Sequence, residues 1–263
     1  MINFHNPRPH EIIQKPDLCC AANVAIEDQR RGIDYGGSLE NLAVRMGLYI
    51  NANYKDMYGP ELQKRALPSG DAQIGMTFES FENSERLKNI VKGSGLEAEA
   101  YRLSRIVGSL DGVVQPTFEM IQSVGSFLTN NLKAGNGITI NYRLEPFTGR
   151  EDGHYVSLFA YDDTTNEVYV CDPSPHSPEY WKEGLNKFIT GMLPIWKEDD
   201  GKKRERGLIV LSGPMLKNKE NPNKIRRLLK NIKTYVPINA RVRIYPAHPE
   251  ERSRPYQPIE SRE

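Results

Sequence analysis

The chain reads as an α+β protein with segregated elements, a mainly helical first half followed by a mainly antiparallel sheet. Three observations predict this. Apolar residues recur at helical spacing up to about residue 135, and from about residue 136 β-branched and aromatic runs replace them. Two of those runs flank Asp162-Asp-Thr-Thr-Asn166, a turn-forming cluster, so they form an antiparallel hairpin rather than a βαβ unit of a doubly wound sheet.

Residues 1–13, rich in Pro, His and Asn, form an extended lead-in, and the loop that follows ends at Pro16-Asp17. Ala21, Ala22, Val24, Ala25 and Ile26 then favour a helix, which Gly32 and Gly36-Gly37 stop. Ser38 can cap a second helix in which Leu39, Leu42, Ala43 and Met46 recur at helical spacing. Phe78 to Val91 and Thr117 to Leu132 carry the same periodicity. The strands expected are Ile138 to Tyr142, Tyr155 to Tyr161, Glu167 to Cys171, Leu208 to Leu211 and Val242 to Tyr245. These place a helical lobe at about 14–135, a sheet lobe at about 136–212, and a basic helix, a strand and an irregular tail in 213–263.

Bulk properties exclude several classes. Lys+Arg 35 against Asp+Glu 34 leaves a net charge of +1, so no global field draws the chain to nucleic acid or anionic lipid. No apolar stretch approaches the roughly 18 residues of a membrane span. The N-terminus lacks the basic start and apolar run of a signal peptide, which gives a cytoplasmic expectation. Three cysteines, two of them adjacent, make a poor disulfide framework and suit a reducing compartment. His5, His10, His176 and His248 have no ligand spacing with one another or with the cysteines, so neither metal nor cofactor is expected.

Two short stretches carry chemistry. The first is Gln14-Lys-Pro-Asp-Leu-Cys19-Cys20-Ala-Ala. A thiol attacks only as thiolate, and a helix start and a nearby imidazolium both favour that form. Gln14, a few residues upstream, can aim its side-chain N–H at the oxygen of a tetrahedral intermediate. The second is Gly153-His154-Tyr-Val, followed after the turn by Val-Tyr-Val-Cys171-Asp172-Pro173. A hairpin folds the end of its second strand beside the beginning of its first, so His154 meets Asp172, which can fix its tautomer while the other ring nitrogen faces the thiol. Cys171, one residue earlier, should face the opposite side of the sheet, in the core.

A glutamine, a thiol at a helix start, a Gly-His strand and a strand ending in Asp-Pro, in that order, resemble the papain-like cysteine peptidase superfamily. Gly-His-Tyr-Val with Val-Tyr-Val-Cys-Asp-Pro resembles its branch that trims double-glycine leaders from bacteriocins. Ser38-Leu-Glu-Asn-Leu matches a stretch that often follows the nucleophile helix there, and Pro178-Glu-Tyr-Trp181 a Trp-containing helix that often follows Asp-Pro. The resemblance spans residues 14 to about 212 and implies a papain-like domain whose helical lobe carries the thiol and whose sheet lobe carries His154 and Asp172. The usual six-residue step from the glutamine selects Cys20 as the nucleophile, whereas small residues two and three places downstream favour Cys19; Cys20 is preferred. Residues 49–77 and 92–116 are longer than the branch usually carries.

The activity implied is a thiol hydrolase acting on peptides. The same residues suit acyl transfer in a transglutaminase-like enzyme, and the fold also suits a retired peptidase kept as a binding module. Residues 223–233 place Ile225, Leu228, Leu229 and Ile232 on one helical face among five basic residues, which fits either docking on the chain's own core or an acidic partner.

Overall fold

The computed structural model describes residues 2–4, 12–33, 37–69, 96–149, 152–175, 177–196 and 203–213, with single positions between 71 and 91 and within 229–234. The expected helix at 78–91, apart from single positions, and the strand at Val242 to Tyr245 lie outside the described residues. So do His5, His10, His176 and His248.

The elements that position the site are strand β1 (Ile2–Phe4), helix α1 (Cys19–Arg31), helix α2 (Leu39–Arg45), strand β2 (Glu97–Arg102), helix α3 (Phe118–Lys133), strand β3 (Gly137–Arg143), strand β4 (Gly153–Asp162), strand β5 (Glu167–Cys171), strand β6 (Tyr180–Gly184), helix α4 (Leu185–Met192) and strand β7 (Gly207–Ser212). Helix α1 ends at Gly32, whose φ of 70° lies in the left-handed region that glycine adopts without strain. Ser38 caps α2 by accepting the Asn41 N–H at 3.1 Å, and Thr117 caps α3 in the same way through Met120.

Seven strands form one antiparallel sheet in the order β2-β7-β3-β4-β5-β6, with β1 also paired to β4. β2 comes from the helical first half, yet it completes the edge of this sheet through β7. Helices cover both faces. Val156, Leu158, Val168, Val170 and Leu208 face one core, shared with α3 and α4; Tyr155, Phe159, Tyr169, Cys171 and Ile209 face the other, shared with α1 and α2. This is strand alternation in a sheet buried on both sides. A register shift between Leu158 and Ala160 breaks the alternation, so that Phe159 and Ala160 both face the α1 core.

Trp181 lies on a strand rather than on the helix that the resemblance implied. Residues 180–184 pair residue for residue with β5, from Cys171↔Tyr180 to Glu167↔Gly184, and the helix begins only at Leu185. Pairing along the β5 edge outweighs local helix preference here. Beyond β6, the Lys182 N–H donates to the Lys233 carbonyl at 3.1 Å, and Leu229 and Ile232 are buried in the α1 core. Two of the four apolar positions in the basic segment therefore dock on the chain's own fold.

The C-terminal half of α1 is unusually ionic for a buried surface, since Glu27, Asp28, Arg30 and Arg31 are all buried. Burial, reinforced by the Glu27 charge, pushes the Asp28 carboxyl up to about 7 against the pull of Arg45 and Arg31. A carboxyl whose folded pKa exceeds its unfolded value binds more protons when folded. Stability is then lost as pH rises from about 4 to about 7, and the full penalty applies above that window. Asp28→Asn should consequently raise Tm at alkaline pH and change it little near pH 4, as thermal unfolding across pH would show.

Candidate active site

Gln14 starts the loop that leads into α1, and four anchors hold that loop. The Gln14 N–H donates to the Pro173 carbonyl at 2.9 Å, the Tyr58 hydroxyl donates to the Pro16 carbonyl, Asp17 Oδ2 accepts the Asn51 N–H at 2.8 Å, and Lys15 pairs with Glu40. Asp17 sits at φ 61°, a left-handed conformation that a short polar side chain tolerates, and burial raises its carboxyl above the ordinary value despite the bond from Asn51. Tyr58 and Asn51 belong to the segment 49–77, so this long insertion packs against the loop. The Gln14–Pro173 bond joins the loop to the chain just after Asp172. The Gln14 side chain is nine-tenths buried, and among the described residues its Oε1 has no hydrogen-bond partner.

Cys19 is the first residue of α1. It is partly exposed and lies close enough to the His154 imidazole to help hold its proton. Cys20, the residue that the spacing from Gln14 preferred, turns about 100° further round the helix into the core, where it is 1% exposed. Burial, together with the neighbouring Cys19, raises its thiol well above the ordinary range. Cys171 is also core, its thiol pushed up to about 12 by burial.

His154 lies one residue inside β4 and is itself buried, and its Nε2 sits 2.9 Å from Asp172 Oδ1. Burial alone would depress the imidazole pKa, but the Asp172 charge and hydrogen bond, with a smaller contribution from Cys19, raise it to about 10. The pair meets because β5 stops pairing at Ser157↔Cys171, so Asp172 leaves the ladder beside the start of β4.

Asp172 is held by more than the histidine. Oδ1 also accepts the Ser174 N–H at 2.9 Å, and Oδ2 accepts the Trp181 indole N–H at 3.2 Å. Trp181 stacks on Phe188 with ring centroids 5.6 Å apart, and the Tyr142 ring stands edge-on to His154 at 6.0 Å. These aromatic rings screen the His154–Asp172 pair on the α4 side and fix the carboxylate plane. Sequence reasoning placed Trp181 only as part of a motif. Its bond to Asp172 depends on β6 lying beside β5, which no local pattern displays.

Sequence reasoning missed Asn23 as well. Its Nδ2 donates to the Cys19 carbonyl and to the Tyr155 carbonyl, each at 2.7 Å. The available signal was one amide, four residues after Cys19, in a run otherwise made of Ala, Val and Ile. Among the described residues, no group of three or more His, Cys, Asp or Glu could hold a metal ion, and no helix is long and apolar enough to cross a membrane.

A comparison with curated proteins finds no match. A family model described as the peptidase C39-like family matches residues 53–201, more than half of the chain. The matched stretch contains His154, Asp172 and Trp181; Gln14, Cys19 and Cys20 precede it. The chain belongs to the peptidase C39-like family, and through it to the papain-like cysteine peptidase superfamily.

Proposed function

We propose that the chain is a cysteine peptidase in which Cys19 is the nucleophile, His154 the proton carrier, Asp172 the group that orients it and Gln14 an oxyanion donor. Family membership supports a peptidase-like hydrolase at the coarse level. The observation behind this reading is that Cys19, at the start of α1, lies beside a buried imidazole that is tied to a carboxylate.

The chemistry follows from these positions. His154 takes the Cys19 proton, and Asp172 favours the resulting imidazolium over neutral imidazole. The thiolate attacks a peptide carbonyl. The oxyanion that forms faces the Gln14 Nε2–H and the Cys19 backbone N–H, one of the first-turn donors that a helix leaves without an internal acceptor. As the C–N bond breaks, His154 gives its proton to the leaving amine, and a thioester remains. Water, deprotonated by His154, then attacks the thioester and releases the acid and the thiol. Cys20, sealed in core and held as neutral thiol, cannot serve as the nucleophile in this scheme.

Cys19→Ala should abolish hydrolysis of a generic peptide substrate, whereas Cys20→Ala should keep turnover within a few-fold and lose about 1 kcal/mol of stability at most, since a small thiol is replaced by a methyl. Activity that survives Cys19→Ala and vanishes in a folded Cys20→Ala moves the nucleophile by one position. Full activity in both variants ends the thiol mechanism.

A further inference from the structure

Asn23 has no exposed surface and lies in the interior of α1. Its amide nitrogen touches the backbone of two residues at once, the Cys19 carbonyl and the Tyr155 carbonyl, both at 2.7 Å. Cys19 carries the proposed nucleophile, and Tyr155 follows His154 directly. Beyond Ser157, toward His154, β4 is paired to β3 but no longer to β5, so among the described residues this end of the strand has a strand neighbour on one side only. The backbone of Asn23 is engaged with the same strand, its carbonyl facing the Ser157 hydroxyl at 3.4 Å.

An amide is an expensive filler at such a position. Asparagine is a poor helix former, its neighbours are Ala, Val and Ile, and its buried Oδ1 has no partner among the described residues. An alanine would fill the turn without that penalty. What alanine cannot do is hold two carbonyls from different elements at a fixed separation.

We propose that Asn23 is a positioning residue that sets the distance and angle between the Cys19 thiol and the His154 imidazole by clamping α1 to the start of β4. This role rests on the reading of Cys19 and His154 as a catalytic pair. Asn23 touches neither substrate nor the reacting atoms, and it acts through the two backbones. Loosening the clamp lets the thiol and the imidazole drift apart, so proton transfer between them becomes less efficient.

The test is the pH dependence of Cys19 alkylation by iodoacetamide, with the modified site located by peptide mapping, in wild type, Asn23→Ala, Asn23→Ser and Ser157→Ala. In wild type, alkylation should already be fast near pH 7. In Asn23→Ala the rate there should fall about tenfold, while rates in strongly alkaline solution converge, because the reagent's access to the sulfur is unchanged. Ser157→Ala removes another polar link between α1 and β4 and should lower Tm without changing that rate. If Asn23→Ala does not fold, Asn23→Ser, which keeps a polar group too short to reach both carbonyls, carries the same comparison. A folded Asn23 variant with the wild-type profile overturns the positioning role and leaves the nucleophile assignment intact. A wild-type Cys19 that alkylates only as a free thiol overturns the assignment itself, and this role with it.

Discussion

His154→Ala is expected to lower turnover of a peptide substrate by about 10²- to 10⁴-fold, the range that a positioned proton carrier contributes. The fold should survive, because Asp172 keeps the Ser174 N–H and the Trp181 indole as donors. Thiol activation should go with the ring, so neutral-pH alkylation of Cys19 should slow in parallel. Two readouts, turnover and alkylation, therefore have to fall together. A His154→Ala protein that keeps its circular dichroism and its turnover would remove His154 from the reaction.

The second large effect is on stability. Arg31 is buried beside Glu27, with Nε 2.7 Å from Oε1, and its remaining donors reach the carbonyls of Gly135, Leu211 and Gly213. One guanidinium thus ties the end of α1 to the beginning of β3 and the end of β7. Gly137 is part of the same construction, because a Cβ there would run into the Glu27 carboxylate. Arg31→Met leaves that carboxylate buried with only the longer contact to Arg30, whose Nη1 is 3.7 Å from Oε2, at a cost of about 3–5 kcal/mol. For a chain of this size the loss lowers Tm by on the order of 10 °C. A single variant within about 1 kcal/mol of wild type would mean that the network is not structural.

The α+β class and the His154–Asp172 meeting were legible because both rest on local patterns. The turn at Asp162 to Asn166 is written in consecutive residues, and hairpin geometry does the rest. The placement of Cys171 on the opposite face from Asp172 followed from strand alternation in the same way. Helix α1 was legible from its Ala and Val content, but the side on which its first turn faces the sheet was not. Spacing from Gln14 counts residues along a loop, whereas the loop's actual reach is set by Asp17 in a left-handed conformation and by anchors from Asn51 and Tyr58, more than thirty positions away. That is why the count preferred Cys20 while the helix turns Cys20 into the core and Cys19 toward His154. The same limit applies to Trp181 and Asn23, whose contacts cross between elements that only the assembled sheet brings side by side. Segregation of helices and strands was also less complete than the pattern suggested. β2, read from the helical half, is an edge strand, and α3 lies across the sheet from α1.

The raised pKa of His154 links the site to stability. A histidine whose folded pKa stands above 6.5 contributes stability that is fully present below that value and is lost as pH rises through about 10. The most direct test of the catalytic pairing is an NMR titration of the His154 ring in wild type and in Cys19→Ala. In wild type the imidazolium should persist well above neutral pH and lose its proton only toward about 10, and its titration should fall once the thiol is gone. A ring that titrates near its ordinary 6.5, with or without Cys19, would dissolve the pairing.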